Sequence, residues 1–317
     1  MNMSWYLPEK VEIKEVGPRD GFQMEKAFIP TKEKIRIINA LSETGVSAIQ
    51  VTSVVHPKAV PQLIDAEEVM ANIERKEGVS YSVLVPNICG AERAIPMKAD
   101  EWELMLSVSE SHSLANANRS VDDSLKIMEE VVHLANAHNV SVRGGMATAL
   151  GCPFEGRIPF ERIHYVAEAY YQMGVRAFSV ADTVGVADPK LVYETISQLK
   201  ALFPDADINL HLHNTRGMAL ANVIAGLQAG VTSFDASVGG LGGCPYAPNA
   251  TGNVATEDIV HMLERMGVQT GINLRKLLAV SRDVEKLVDH PLESAVSRAG
   301  TADELHQAPT RQMKIGE

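Results

Sequence analysis

Two histidines one residue apart, His211 and His213, give the clearest indication of chemistry in this sequence. They stand at the end of the segment Ile208–Leu212, whose composition predicts a β-strand, with His211 inside the segment and His213 directly after it. Residues i and i+2 of a strand point to the same side, so the two imidazoles should converge on one point. Such a pair suits a divalent metal, although two hydrogen-bonded histidines near a strand end would show the same spacing.

A second group of polar residues stands in Gly17–Gly21, which reads GPRDG and follows the predicted strand Val11–Gly17. Arg19 and Asp20 could form an ordinary turn with a surface ion pair. Taken with the histidines, however, Asp20 becomes a candidate third ligand. Two imidazoles with oxygen ligands are compatible with Mg²⁺, Mn²⁺ or a similar ion, whereas a tight zinc site would favour more nitrogen and sulfur ligands.

The segment Ser237–Asn253 has four glycines within five residues, followed by Cys244 and a proline. This composition excludes a regular element and predicts a loop that can close over a site. No Lys-Ser/Thr pair follows the glycines, so the segment is not a phosphate-binding loop of the Walker type. Cys244 could be a structural thiol, a nucleophile or a proton donor, and the glycine-rich setting favours a functional role.

The elements that must position these residues alternate between strand and helix along the whole chain. Eight such units without a linker predict a (β/α)8 TIM barrel over about residues 11–266, and Asn273–His290 predicts a helical C-terminal extension over about 267–300. An open doubly wound sheet is the rival, but no G-x-G-x-x-G follows the first strand. The remaining predicted strands are Ala48–Val54, Tyr81–Val85, Glu103–Val108, Ser141–Ala149, Ala177–Ala181 and Ser233–Val238.

Chemistry in such barrels is located where the strands end and the βα loops begin. Polar residues recur at those positions here, which solvated loops alone explain poorly. Beside Arg19, Asp20 and the histidines they include Gln50, Asn87, Ser107, Ser109 and Asp182.

The composition of the chain excludes several classes of protein. The chain has 317 residues, 45% of them hydrophobic and 22% charged, with a net charge of −11 and three cysteines. These values exclude a disordered chain, and the absence of a basic stripe argues against a nucleic-acid partner. No apolar run approaches the roughly 18 residues that a membrane span needs. We expect one domain over residues 1–317 in a reducing compartment, the cytoplasm.

Together these motifs resemble the 3-hydroxy-3-methylglutaryl-CoA (HMG-CoA) lyase family of DRE-TIM metallolyases, over about Val11–His290. EVGPRDGFQMEK is similar to that family's EVGPRDGLQNE(K), and HLHNT stands where the family has HCHDT. VRGGMATALGCPFEG resembles the family's fifth-strand segment. The segment SVGGLGGCPYAPNATGNVATED matches the family's highly specific glycine-cysteine loop.

The resemblance implies a metal-dependent acyl-CoA lyase that cleaves HMG-CoA to acetyl-CoA and acetoacetate. It identifies the class of reaction more firmly than it identifies the acyl group of the substrate. It implies a homodimer and a Mg²⁺ or Mn²⁺ ion. The implied metal ligands are Asp20, His211, His213 and Asn253. Arg19 would stabilise the developing enolate, and Cys244 would act as an acid/base group. Asp182 would be a carboxylate near the reacting hydroxyl, and either Asp20 or Asp182 would accept the proton of that hydroxyl. Residues implied to contact substrate or CoA are Lys26, Gln50, Asn116 and Ser120.

Three positions depart from the family pattern: Gln50 stands where Glu is usual, Asn214 where Asp is usual, and Gly239 where Ala is usual. The loss of a carboxylate at Gln50 changes the charge of the site by one unit. A lyase for another 3-hydroxyacyl-CoA, citramalyl-CoA-like or with a longer tail, is therefore compatible with the sequence. So are a Claisen-type synthase, an aldolase of a free 2-oxo acid, and a non-catalytic CoA-ester-binding protein.

Overall fold

Eight parallel strands close into a barrel in the computed structural model, which describes residues 7–243 and 252–305. Neighbours along the chain are neighbours in the barrel, and the eighth strand pairs with the first, with Glu15 opposite Ala236. The strands are β1 Glu12–Glu15, β2 Ala48–Ser53, β3 Ser80–Val85, β4 Glu101–Ser107, β5 Ser141–Ala147, β6 Ala177–Asp182, β7 Asp207–Leu212 and β8 Ser233–Ala236. The predicted barrel is confirmed.

Helices cover the outside of the barrel and bury their apolar sides against the strands. They are α1 Thr31–Ser42, α2 Ala66–Asn72, α3 Ile88–Ala94, α4 Glu110–Ala117, α5 Val121–Ala137, α6 Phe160–Gln172, α7 Pro189–Leu202, α8 Ala219–Gln228 and α9 Thr256–Arg265. Within the described ranges, no helix is both long enough and apolar enough to cross a membrane.

The structure adds one helix to the predicted alternation. Helix α4 lies between β4 and α5, where the sequence predicts no separate helix. It begins because the Ser109 hydroxyl accepts a hydrogen bond from the amide of His112, and it ends at Asn118 in the left-handed region (φ 53°). A separate cap at Ser120 then starts α5, so two capping serines separate the two helices.

The predicted C-terminal extension is present as α10 Leu274–Val288 and α11 Ala295–Ala299. The turn between them reaches the carboxyl end of the barrel, where the amides of Glu293 and Ser294 donate to the carbonyl of Gly239 at 3.0 and 3.2 Å. The side chain of Leu292 fills the space in which a Cβ on Gly239 would lie, at 2.5 Å from Leu292 Cδ1. The extension therefore packs against the glycine-rich segment, and an alanine at position 239 would clash.

Candidate active site

The two histidines converge as their spacing predicts. His211 lies in β7 and His213 directly after it, and both are buried. Their Nε2 atoms are 3.1 Å apart. Because this is too close for two ring nitrogens that both carry protons, the pair must share a proton or a cation.

Asp20 reaches the same point from the end of β1. It lies in a π-helical turn, Gly17–Gly21, in which the amides of Arg19 and Asp20 both donate to the carbonyl of Val16. Its Oδ2 atom is 3.8 Å from His211 Nε2 and 3.9 Å from His213 Nε2. The three residues each offer a ligand atom within 4.8 Å of the others, which makes them a candidate metal site.

Asn253 joins this cluster through Asp20. Its Nδ2 donates to Asp20 Oδ2 at 2.7 Å and to the carbonyl of Leu241 at 3.1 Å. Its Oδ1 is buried and has no hydrogen-bond partner within residues 7–243 and 252–305. A buried acceptor without a donor is costly, so this oxygen is available to a cation beside the carboxylate and imidazoles. Two nitrogen and two oxygen donors fit a divalent ion such as Mg²⁺ or Mn²⁺.

Glycine is required beside Asn253. Gly242 has φ +121°, and a Cβ there would lie 2.5 Å from Asn253 Nδ2 and 3.3 Å from Asp20 Oδ2. The glycine-rich segment can therefore lie directly against the cluster only because position 242 carries no side chain.

Asp235 supports the site, and it is not among the residues predicted from the sequence. This residue of β8 pairs with His211 across the sheet, and its Oδ2 accepts from His211 Nδ1 at 2.9 Å. The bond fixes the proton on Nδ1 and leaves Nε2 with its lone pair directed at Asp20 and His213. The available signal in the sequence is an acidic residue inside a short buried strand, SFDA.

Arg19 is held beside the cluster by two partners. Its Nε donates to Gln50 Oε1, and its Nη1 donates to Asp20 Oδ1. Gln23 Nε2 donates to the same Asp20 oxygen at 2.8 Å. The guanidinium is buried, so its charge acts on the site with little screening by water.

The ionisation of Asp20 and His213 suits metal binding. Burial opposes the charge of Asp20, but Arg19 and the two histidines outweigh it and lower the pKa to about 2. Burial, and then the neighbouring His211, lower the pKa of His213 to about 3, so its imidazole is neutral near pH 7. At His211 burial also disfavours the charged ring, but the bond to Asp235 prevails and raises the pKa.

Asp182 ends β6, one register position beyond the partner of His211. Its Oδ1 accepts from the amide of Val186 at 2.9 Å and its Oδ2 from that of Ala187 at 3.1 Å. Burial raises its pKa to about 6 against these hydrogen bonds. Asp182 is therefore a much weaker acid than Asp20, although both lie at the carboxyl end of the barrel.

The remaining predicted residues are placed as follows. Lys26 is exposed after β1, Asn116 is exposed in α4, and the Ser120 hydroxyl caps α5 by accepting from the amide of Asp123 at 3.0 Å. Cys244 lies outside the described residues. Asn214 begins the loop after His213, and its Oδ1 accepts from the amide of Ala219 at 3.2 Å.

Comparison with known proteins places this geometry in a family. The family model described as HMGL-like matches residues 10–284. The chain is 47% identical over 287 residues to hydroxymethylglutaryl-CoA lyase YngG of Bacillus subtilis, covering 90% of this chain and 96% of that protein. It is 43% identical over 293 residues to the mitochondrial hydroxymethylglutaryl-CoA lyase of Homo sapiens, covering 92% and 90%.

A solved structure of an HMG-CoA lyase from Acinetobacter baumannii, in complex with coenzyme A and 3-methylmalate, is also similar. It superposes with a TM-score of 0.91 at 40% identity, covering 95% of this chain and 98% of that one.

Proposed function

The chain belongs to the HMGL-like family, and we propose that it is a divalent-metal-dependent lyase that cleaves HMG-CoA to acetyl-CoA and acetoacetate. The observation that carries this proposal is the convergence of Asp20, His211 and His213 beside the buried guanidinium of Arg19. A retro-Claisen cleavage needs a base for the tertiary hydroxyl and a stabiliser for the thioester enolate. The site offers a candidate for each task.

Asp20, His211, His213 and the free oxygen of Asn253 would hold the cation, Mg²⁺ or Mn²⁺. When bound, such an ion supplies Lewis acidity that lowers the pKa of a substrate hydroxyl and orients it. Asp235 keeps His211 in the tautomer that binds. Asn253 and Gln23 both hold the carboxylate of Asp20 by hydrogen bonds. These bonds orient the carboxylate toward the proposed metal position.

Asp182 is the candidate base. Both carboxylates accept hydrogen bonds on both oxygens, but the pKa of Asp20, about 2, is too low for proton abstraction near pH 7, whereas that of Asp182 is about 6. As the C2–C3 bond breaks, its electron pair moves into the thioester, and Arg19 would neutralise the charge on the thioester oxygen. Cys244 is proposed to deliver the proton that converts the enolate to acetyl-CoA. Lys26, Asn116 and Ser120 are proposed to contact the CoA moiety.

The test is a product assay with Mg²⁺ and with Mn²⁺. We expect HMG-CoA to give acetyl-CoA and acetoacetate in equal amounts, and replacement of Asp182 by Asn to slow turnover by about 10²-fold or more. Thermal stabilisation by the thioester without any product would instead indicate a non-catalytic CoA-ester-binding protein.

A lyase for a different 3-hydroxyacyl-CoA is the second candidate, and Gln50 favours it. Its neutral amide contacts Arg19 Nε where a carboxylate would cancel part of the guanidinium charge. A more positive site would favour an acyl group with an additional or differently placed anion. A panel with HMG-CoA, citramalyl-CoA and longer analogues, measured for the wild type and Gln50→Glu, distinguishes the two candidates by the ratio of kcat/KM values.

The proposed assembly is a homodimer located in the cytoplasm. Light scattering coupled to size-exclusion chromatography tests the assembly, since a homodimer has twice the 34.4 kDa mass of the chain. A mass of a single chain at micromolar concentration would contradict it.

A further inference from the structure

One buried carboxylate connects three chain segments that border the site. Glu15, the last residue of β1, has no exposed surface. Its Oε1 accepts from the amide of Gly17 at 2.7 Å and from that of Val238 at 2.9 Å, and its Oε2 accepts from the Thr256 hydroxyl at 2.6 Å. We infer that Glu15 is a positioning residue, which sets the Arg19–Asp20 turn in register with both ends of the glycine-rich loop.

Two of the three segments lead directly to a residue of the cluster, and the third leads to the glycines that lie against it. Gly17 begins the turn that presents Arg19 and Asp20, Val238 precedes the glycines at the start of the loop, and Thr256 follows Asn253 by three residues. The two ends of the loop also bond to each other, because the amide of Ser237 donates to the carbonyl of Val254 at 3.0 Å. Glu15 joins this pair of ends to the turn.

The hydrogen bond between Asn253 and Asp20 depends on this alignment of the turn with the loop. Asn253 Nδ2 lies 2.7 Å from Asp20 Oδ2, and the two residues come from segments that are 233 positions apart in the chain. A shift of either segment by about 1 Å would break that bond and separate two proposed ligands, and misplacement on this scale can reduce a rate by about 10²-fold. The contacts of Glu15 oppose such a shift in both segments at once.

The packing around Glu15 leaves little freedom. A Cβ on Gly17 would lie 2.7 Å from Glu15 Oε1 and 2.9 Å from Val238 Cγ1. The next amide of the loop, that of Gly239, is held by a second buried carboxyl, Glu257, at 3.0 Å to each oxygen. The two acids therefore hold consecutive amides of one segment, which fixes both the position and the direction of the loop.

The three bonds do not depend on a negative charge at Glu15. Burial raises its pKa to about 7, against the bonds from Thr256, Val238 and Gly17. In the protonated form the carboxyl can donate to the Thr256 hydroxyl and still accept the two amides. A glutamine can make the same three bonds, with its oxygen on the amides and its NH₂ on the hydroxyl, so Glu15→Gln is the conservative variant for a test.

The inference rests on the proposed function, and the test separates the two. We would compare the wild type, Glu15→Ala, Glu15→Gln and Thr256→Val, with Glu12→Ala as a control, because Glu12 lies in the same strand with an exposed side chain. For each variant we would measure kcat and KM for HMG-CoA well below the melting temperature, and the Kd for Mn²⁺ by electron paramagnetic resonance.

Glu15→Ala should lower kcat by about 10²-fold with KM changed by less than about threefold. It should weaken Mn²⁺ binding by about 10-fold, as loss of supporting groups around a metal site does. Glu15→Gln should restore both values to within about threefold, Thr256→Val should show a smaller loss of kcat, about fivefold, and Glu12→Ala should match the wild type.

A lower melting temperature of Glu15→Ala with kcat and Mn²⁺ affinity unchanged would overturn the inference, and so would failure of Glu15→Gln to restore them. If Glu15→Ala does not fold, an unchanged kcat in Thr256→Val overturns it. Absence of cleavage by the wild type would instead contradict the proposed function, and the Mn²⁺ affinities would still decide the role of Glu15.

Discussion

The two ends of the barrel both bury charged groups, but they use them in opposite ways. At the amino end, Lys14 Nζ crosses the barrel from β1 to β4 and lies 2.6 Å from Glu101 Oε1 and 2.9 Å from Glu103 Oε1. Arg143 of β5 adds a contact with Glu101 at 3.3 Å and one with Asp207 at 2.9 Å. Every charge of this group faces an opposite charge.

At the carboxyl end, the cluster keeps polar atoms without partners. His213 Nδ1, Asn253 Oδ1 and Asp235 Oδ1 are all buried, and none has a hydrogen-bond partner in the described part of the chain. Such groups cost folding free energy. The amino-end group also has one buried atom without a hydrogen-bond partner in the described residues, the donor Arg143 Nη1, but the unpartnered atoms at the carboxyl end include the acceptor oxygen of Asn253, which a cation could bind. Burial of charge alone therefore does not mark an active site: the paired charges of the amino end stabilise the barrel, whereas the carboxyl end offers lone pairs to a ligand.

The first way to test this contrast is to remove a proposed ligand. Replacing His211 by Ala should lower turnover by about 10⁴-fold, because the contribution of a bound cation to transition-state stability is several kcal/mol. The variant should still fold, although its melting temperature should fall because the buried Asp235 loses the donor to its Oδ2. His133→Ala is the matched control, since His133 is an exposed residue of α5, and it should behave as the wild type. A collapse in stability with unchanged turnover would reverse the assignment.

The second test concerns the guanidinium beside the cluster. Arg19→Met should reduce kcat by about 10³-fold with a small change in KM, because the enolate charge develops only as the C–C bond breaks. Arg36→Met provides the control, as Arg36 is 45% exposed on the outer helix α1. Turnover of Arg19→Met within twofold of the wild type would remove Arg19 from the mechanism.

The third test moves to the amino end. Lys14→Met should lower the free energy of unfolding by about 3–5 kcal/mol, because it removes the ion pair of the buried Glu103 and leaves Glu101 with Arg143 as its remaining cation. Denaturant titration measures this. The kcat of the folded variant should stay within about twofold of the wild type. A large loss of kcat would contradict the conclusion that the amino end stabilises the barrel without taking part in catalysis.

Lys126→Met is the control for Lys14→Met. Lys126 pairs with Asp123 on α5 but is 72% exposed, so its removal should change the free energy of unfolding by less than about 0.5 kcal/mol. A change as large as that of Lys14→Met would show that burial does not increase the contribution of the amino-end ion pairs to the free energy of unfolding.

The smallest expected effect is on acid stability. Burial opposes ionisation of Glu103, but Lys14 and the hydrogen bond from Ser82 outweigh it and lower the pKa from 4.5 to about 2. A carboxylate with a lowered folded-state pKa stabilises the protein above its unfolded-state pKa, and this stabilisation is lost as the pH falls. The free energy of unfolding should therefore decrease between about pH 4.5 and pH 2, and less steeply in Glu103→Gln. Equal slopes would contradict the role given to Glu103.

The barrel is predictable from the sequence because strands and helices have different periods of hydrophobic residues. The alternation of strand and helix can be followed through all eight units of the chain. The meeting of His211, His213 and Asp20 is predictable as well, since i and i+2 residues share a strand face and all strand ends lie on one rim. Helix α4 is not, because its separation from α5 depends on two local caps at Ser109 and Ser120.

Asp235 and Glu15 could not be found from sequence pattern alone. Asp235 acts through a partner in the neighbouring strand, and Glu15 through an amide and a hydroxyl more than 200 residues away. These contacts depend on the closure of β8 onto β1 and on the register of β8 between its neighbours. Local propensity and spacing carry no information on that register or on where a distant amide will lie.

Direct measurement of Mn²⁺ binding tests the central claim, that side chains at the carboxyl rim converge on one cation. We expect the wild type to bind one Mn²⁺ per chain, competed by Mg²⁺, and Asp20→Asn and His211→Ala to weaken that binding by at least about 10-fold while the chains remain folded. Binding of equal strength in the wild type and both variants would contradict the account, because the ion would then be held elsewhere.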